Sequence, residues 1–239
     1  MERELLAWFA EHGRDLPWRR TRDPYAVLVS EVMLQQTQVA RVVPRYLGWL
    51  QRWPTVESLA ASSTAEVIRV WQGLGYNRRA LNLHRAARRI AAEGWPDDLT
   101  GLPGVGRYTA DAVGRFALEL PVLPVDTNVR RVLERSGGEF GPESAHALMD
   151  LGATVCLARV PRCNACPLAA GCPSRGRRYD PARRQSRFEG SFRQRRARTL
   201  RLVAERPRRL SRLDGEAVEA LRSDALVEIR GTSVRLTES

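Results

Sequence analysis

The chain contains no lysine: all 39 of its basic residues are arginine. The only amine that could form a Schiff base with an aldehyde or sugar is therefore the N-terminus at Met1. No run of about eighteen apolar residues occurs, so no membrane span is expected. The opening MERELLAWF lacks the charged, apolar and small-residue layout of a secretory signal. Cysteine is absent outside residues 156–172, so no disulfide framework is expected to stabilise the rest. Acidic residues are outnumbered 27 to 39, leaving a formal charge of +12 that points to a polyanionic partner. The hydrophobic share of 43% is enough for a packed core and argues against disorder. A length of 239 residues suits one large domain or two modest ones.

The most informative stretch is 99–131. Leu102-Pro103-Gly104-Val105-Gly106 spells a tight turn with glycines where φ can be positive. A helical pattern follows, with Ala110, Val113, Phe116 and Ala117 on one face. Backbone N–H groups at such a helix start bind phosphate without reading sequence. The apolar, proline-bounded segment 120–125 then delivers Asp126, Thr127, Asn128 and a helix from near Val129. As bare residues these make a glycine turn between helices, with Asp126 a simple N-cap.

Upstream, Asp23-Pro24 starts a helix carrying Tyr25, Val27, Leu28, Val29, Val32, Met33 and Leu34. It is apolar nearly all round and so is expected to be buried. Glu31 sits inside it; a lone Glu in such a place is ordinarily part-exposed or paired with an Arg. Thr37 is expected to cap a helix running to Trp53. Further helices are expected over 2–11, 55–61, 63–71, 77–92, 129–135 and 142–155. Tyr76, after Gly73-Leu74-Gly75, reads in isolation as a ring closing the core. His12 and His84 read as helix-surface residues and His146 as structural.

Cys156, Cys163, Cys166 and Cys172 are spaced C-x6-C-x2-C-x5-C. Four thiolates suit zinc or an iron–sulfur cluster, although zinc sites usually present two short Cys pairs and only one exists here. Residues 176–187 form a basic linker. Beyond it, helices over 193–206 and 211–222 and a hairpin over 226–236 suggest a small winged-helix-like module at 188–239.

LPGVGRYTA followed about twenty residues later by VDTN resembles the helix-hairpin-helix (HhH-GPD) DNA glycosylases. Ser30 to Thr37, SEVMLQQT, is similar to the corresponding string of the adenine DNA glycosylases within that family. The cysteine spacing resembles the 4Fe–4S loop of the endonuclease III and adenine glycosylase group. The resemblance covers roughly residues 1–175, with three separate motifs. It implies an all-α, two-subdomain core: a six-helix barrel at about 23–126, and a cluster subdomain from 1–22 and 127–175.

For activity, the resemblance implies a monofunctional glycosylase in base excision repair that hydrolyses the N-glycosidic bond of adenine mispaired with guanine or oxoguanine. Glu31 would be the general acid, and Asp126 the anion that stabilises the oxocarbenium-like sugar or briefly bonds to it. Tyr108 and Asn128 would orient Asp126 and the water. Gln35 and Gln36 would lie at the helix end entering the DNA stack, Tyr76 would be a wedge, and Gly104, Gly106 and Arg107 would hold phosphate. The four cysteines would carry the 4Fe–4S cluster, setting Arg159 and Arg162 against phosphates. The implied partner is double-stranded DNA with a mismatched or oxidised pair, met by a cytoplasmic, nucleoid-associated monomer.

The chain departs from the family at Tyr76-Asn77, where members often show two tyrosines, and in the short 136–142 connection. Residues 188–239 are also too few for the large C-terminal domain with which relatives read oxidised guanine. Two alternatives stand beside the main reading. One is a glycosylase for thymine or uracil opposite guanine. The other is a non-catalytic mismatch-binding protein, which would need neither Glu31 nor Asp126.

In endonuclease III the position of Tyr108 holds the lysine that forms a Schiff base and cuts the strand. With Tyr there and no lysine elsewhere, the abasic product is expected to accumulate uncut until alkali or heat is applied. Rapid cleavage trapped covalently by borohydride would contradict this and implicate the Met1 amine.

Overall fold

The computed structural model describes residues 1–180 and 187–238; of the 176–187 linker, residues 181–186 lie outside the described residues. The helices in chain order are α1 (Glu2–His12), α2 (Pro24–Leu34), α3 (Val39–Arg52), α4 (Val56–Ala60), α5 (Thr64–Trp71) and α6 (Arg78–Glu93). They continue with α7 (Arg107–Phe116), α8 (Thr127–Ser136), α9 (Ala145–Thr154), α10 (Phe192–Glu205) and α11 (Gly215–Ser223). Strands β1 (Arg208–Arg209), β2 (Val227–Arg230) and β3 (Ser233–Leu236) form one antiparallel sheet in the order β1-β3-β2. The chain divides into two compact units, Met1–Val27 with Gly106–Arg184 and Leu28–Val105 with Gln185–Ser239, and α2 crosses the boundary.

In the first unit, Leu5 of α1 packs with Val129 and Val132 of α8 and with Ala147, Leu148 and Leu151 of α9. A Cβ on Gly152 would lie 2.8 Å from Asn128 Cβ and 2.9 Å from Asn128 O, so only glycine lets α9 approach α8 this closely. Cys156 and Cys166 border the same cluster, which anchors the cysteine loop to the core.

The 14–19 loop is pinned by a carboxylate that the sequence reading passed over. Asp150 of α9 has no exposed surface and takes ion pairs from Arg14 (2.6 Å) and Arg19 (2.7 Å). Its oxygens also accept from the Arg14 backbone N–H at 2.8 Å and from Arg19 Nη1 at 2.9 Å. Every lone pair facing the protein thus meets a donor, the condition for burying a charge.

In the second unit, Trp49 meets Trp53 and Trp71 edge-on at centroid distances of 4.6 and 5.6 Å. The C-terminal residues share a core with this unit. Leu200, Val203, Val218, Leu221, Leu226 and Val234 form one cluster with Ala65, Ile68 and Leu81 of α5 and α6. Arg69 Nε also donates to Ala204 O at 3.1 Å.

Several local expectations are corrected. Thr37 does not cap the next helix: Gln38 stands at that position, and the Thr37 hydroxyl turns back to Gln35 O at 3.3 Å. His84 is not on the surface; it is buried on α6, with Nδ1 3.3 Å from Thr64 Oγ1, and burial pushes its imidazole below the ordinary range. The 142–155 helix begins as a 3-10 turn at Pro142–Ser144. The predicted hairpin gains β1 as a third strand. His146 stacks on Phe116 (4.1 Å between centroids), and burial holds its pKa down at about 4.

For Asp150, burial alone would raise the carboxyl pKa, but the hydrogen bonds from Arg19 and Arg14 outweigh it and the net shift is downward. A depressed folded-state pKa gives stability that is fully present above the unfolded value of about 3.9 and is lost as pH falls through the folded value. Asp150→Ala is expected to cost about 3 kcal/mol, the low end for a broken buried pair because Arg14 keeps some contact with water. Denaturant unfolding at pH 7 and pH 3 tests this. An Asp150→Ala midpoint equal to wild type at pH 7 would refute it.

Candidate active site and nucleic-acid interface

Asp126 is the N-cap of α8, as its bare sequence context suggested, and three donors converge on its carboxylate. Oδ1 accepts the backbone N–H of Asn128 at 2.8 Å and of Val129 at 2.7 Å, while Oδ2 accepts Asn128 Nδ2 at 2.9 Å. Asn128 is oriented in turn: its Oδ1 accepts from Arg131 Nη2 at 2.7 Å. Arg131 also donates to Gly152 O at 2.6 Å and Cys156 O at 2.8 Å. A continuous chain of hydrogen bonds thus runs from the Asp126 carboxylate through Asn128 and Arg131 to the backbone of the first cysteine. Burial pushes the Arg131 guanidinium below its ordinary value. Sequence reasoning had assigned Arg131 no role. Tyr108 lies half-buried in the first turn of α7.

Glu31 is 6% exposed near the middle of α2, between Ser30 and Val32, both buried. Gln35 and Gln36 follow the end of that helix, and Gln36 is exposed with a left-handed φ of +55°. Tyr76 has φ +46° and is 48% exposed, so it does not close the core. For non-glycine residues this conformation costs roughly 1–2 kcal/mol each. Glu119 (φ +56°) and Ala225 (φ +57°) share this conformation.

The Leu102–Gly106 turn has Gly104 at φ +77°, and a Cβ there would meet Asn82 Cβ at 2.7 Å. Gly106 is the N-cap of α7, which has no side-chain cap hydrogen bond. Arg107 reaches from that first turn into solvent and pairs with Asp111 at 3.0 Å.

No disulfide joins the four cysteines, which line one cavity together with Arg135, Arg162 and Arg175. Arg135 Nη1 lies 3.7 Å from Cys156 Sγ, and Gly176 N–H donates to Cys163 Sγ at 3.3 Å. The Arg135 guanidinium sits 3.7 Å over the Tyr179 ring. Burial raises the Cys166 thiol above its ordinary value. Among the described residues, no group of three His, Cys, Asp or Glu side chains is arranged to hold a metal ion.

These features define a helix-hairpin-helix base-excision protein. Residues 29–151 match the HhH-GPD superfamily base excision DNA repair proteins. In fold, the chain is similar to a thermostable thymine-DNA glycosylase (TM-score 0.65, 27% identity), with 72% of this chain and 93% of that one covered. An endonuclease III–DNA covalent intermediate gives a TM-score of 0.62 at 26% identity, covering 72% and 92%. In sequence, it is 43% identical to an adenine DNA glycosylase of Mycobacterium tuberculosis, over 93% of this chain and 88% of that protein. It is 44% identical to that of Mycolicibacterium smegmatis (82% and 78% covered) and 41% to that of Homo sapiens (72% and 39%). The chain belongs to the adenine DNA glycosylases of the HhH-GPD superfamily.

Proposed function

We propose that this glycosylase releases adenine from duplex DNA in which it is mispaired with guanine or oxoguanine, leaving an abasic site that it does not cut. The observation that carries the reading is a pair of motif carboxylates in contrasting surroundings. Glu31 is buried in an apolar helix, while Asp126 is half-buried and held by three donors. Adenine is a poor leaving group until its ring is protonated, and the sugar then develops positive charge. One group must therefore deliver a proton and another must offer negative charge, which calls for different environments. Glu31 is the proton donor to the extruded base. Asp126 faces the oxocarbenium-like sugar or bonds briefly to it, with Asn128 and Tyr108 orienting the carboxylate and the attacking water.

Opening the stack falls to Gln35, Gln36 and Tyr76, and the Leu102–Gly106 turn with Arg107 holds phosphate. The Gln-Gln string and the 43% identity to an adenine DNA glycosylase favour adenine over thymine. A binding-only protein has no use for an acid buried at Glu31. Tyr108 and the absence of lysine support hydrolysis without strand cleavage.

A 4Fe–4S cluster suits the cysteine cavity, where Cys156, Cys163, Cys166 and Cys172 would hold it. When bound, it supplies four thiolate bonds that tie the 156–172 loop into one shape. The exposed Arg159 and Arg162 of that loop are then available to phosphate.

Asp126→Asn and Glu31→Gln are each expected to slow adenine release by roughly 10³-fold or more with DNA affinity nearly unchanged, because both groups act mainly on the transition state. Single-turnover rates on an A·G duplex and dissociation constants at fixed salt check this; near-normal rates in either variant would defeat the two-carboxylate mechanism. Protein purified without oxygen should be brown and carry iron and sulfide. A colourless protein with one stoichiometric zinc would remove the cluster from the proposal.

A further inference from the structure

Arg79 is the second residue of α6 and has no counterpart among the catalytic or DNA-contacting residues above. Its guanidinium reaches two separate stretches of chain. Nη1 donates to Val32 O (2.7 Å), Met33 O (3.1 Å) and Gln35 O (2.6 Å). Nη2 donates to Thr37 Oγ1 (3.1 Å), Leu74 O (3.3 Å) and Gly75 O (3.2 Å). The first group belongs to the end of α2 and the turn after it, where helical carbonyls run out of intrahelical partners. Thr37 belongs to that same turn after α2, whereas Leu74 and Gly75 belong to the turn before α6.

In each stretch, one bound carbonyl immediately precedes a left-handed residue: Gln35 O before Gln36, and Gly75 O before Tyr76. Arg79 therefore holds the peptide group that sets the direction of each of these two exposed side chains. The guanidinium carbon also lies 5.5 Å from the Tyr76 ring centroid and 5.3 Å from that of Trp71, whose indole N–H donates to the same Gly75 O at 3.0 Å. Burial brings the guanidinium pKa down to about 10, which leaves it cationic at neutral pH. A cation serving only to cap α2 would need the carbonyls of Val32 and Met33 and no reach to residues 74–76.

We propose that Arg79 is a positioning residue for base extrusion: one half-buried guanidinium ties the 35–37 turn to the 74–76 turn and presents Gln36 and Tyr76 to DNA at a fixed separation. The proposal rests on the reading of those two side chains as the elements that open the stack. Lysine keeps the charge but offers three donors from a single point, so it cannot span both turns.

The test compares wild type, Arg79→Lys and Thr37→Val on two duplexes under single-turnover conditions. In one, the target adenine faces guanine; in the other, it faces a tetrahydrofuran abasic analogue, so that no base pair has to be opened. Arg79→Lys is expected to be slower by roughly tenfold or more on the first and within about threefold of wild type on the second, a loss of the order of one charge-assisted hydrogen bond. A 2-aminopurine beside the opposite base should brighten on wild-type binding and less so with Arg79→Lys, a signal that requires no catalysis. Equal slowing on both duplexes, or none on either, overturns the proposal. If Arg79→Lys melts or unfolds, Thr37→Val, which removes only the hydroxyl acceptor, must show the same substrate-dependent ratio in weaker form; equal rates on both duplexes then overturn it. If wild type releases adenine from neither duplex, the assigned activity fails, and the clamp stands or falls on the 2-aminopurine signal alone.

Discussion

A half-buried guanidinium set against backbone carbonyls is the interaction on which the rest of this structure depends. Arg79 closes two turns in this way, Arg131 bridges α8 to the end of α9 and to Cys156, and Arg135 donates to Leu157 O and Ala158 O in the cysteine loop. The physical reason lies at the helix ends. The last carbonyls of a helix have no intrahelical donor, and leaving one buried and unmatched costs about 1–3 kcal/mol. A planar fork of five N–H groups can satisfy several such carbonyls from one residue, which a lysine ammonium cannot. In a chain without lysine, arginine takes this structural duty.

The same interaction ties stability to chemistry. Asp126 is at once the cap of α8 and the anion proposed to face the sugar, so under that proposal the helix start and the reacting group share one carboxylate. Asn128 bonds that carboxylate and is itself held by Arg131, whose other acceptors lie on α9 and at Cys156. The close pass of Gly152 against Asn128 makes this linkage short enough to be rigid. At the other candidate surface, the backbone of Gln36 and Tyr76 is strained, and the strain is sustained by hydrogen bonds to the carbonyls before them.

Much of the local structure was legible in the residues. Asp23-Pro24 marks the start of α2, and Asp23 Oδ1 accepts the Tyr25 N–H at 2.9 Å as a helix-start residue should. The VDTN string placed the cap of α8 on Asp126. Other features were present but misread. His84 falls between Leu81 and Ala87 at helical spacing, on the stripe with Ala80 and Leu83, so the pattern itself carried its burial. Strand β1 is two residues long and follows Pro207, too short for any alternation to register. Thr37 looked like a cap because capping residue types are local signals, yet its hydroxyl is engaged by Gln35 O and Arg79.

By itself, the sequence determined what depends on near neighbours: helix starts, the glycine turn, the spacing of four cysteines and the absence of any side-chain amine. Each of these is settled by backbone sterics or composition within a few residues. Tertiary structure alone decided which arginines are structural. Arg14 and Arg19 meet Asp150 from 136 and 131 residues away, and Arg79 finds its α2 acceptors 44 to 47 residues before it. No periodicity encodes such a meeting. The partners of a long, flexible side chain are set by where other helices leave their unmatched carbonyls, and that is known only once those helices have packed.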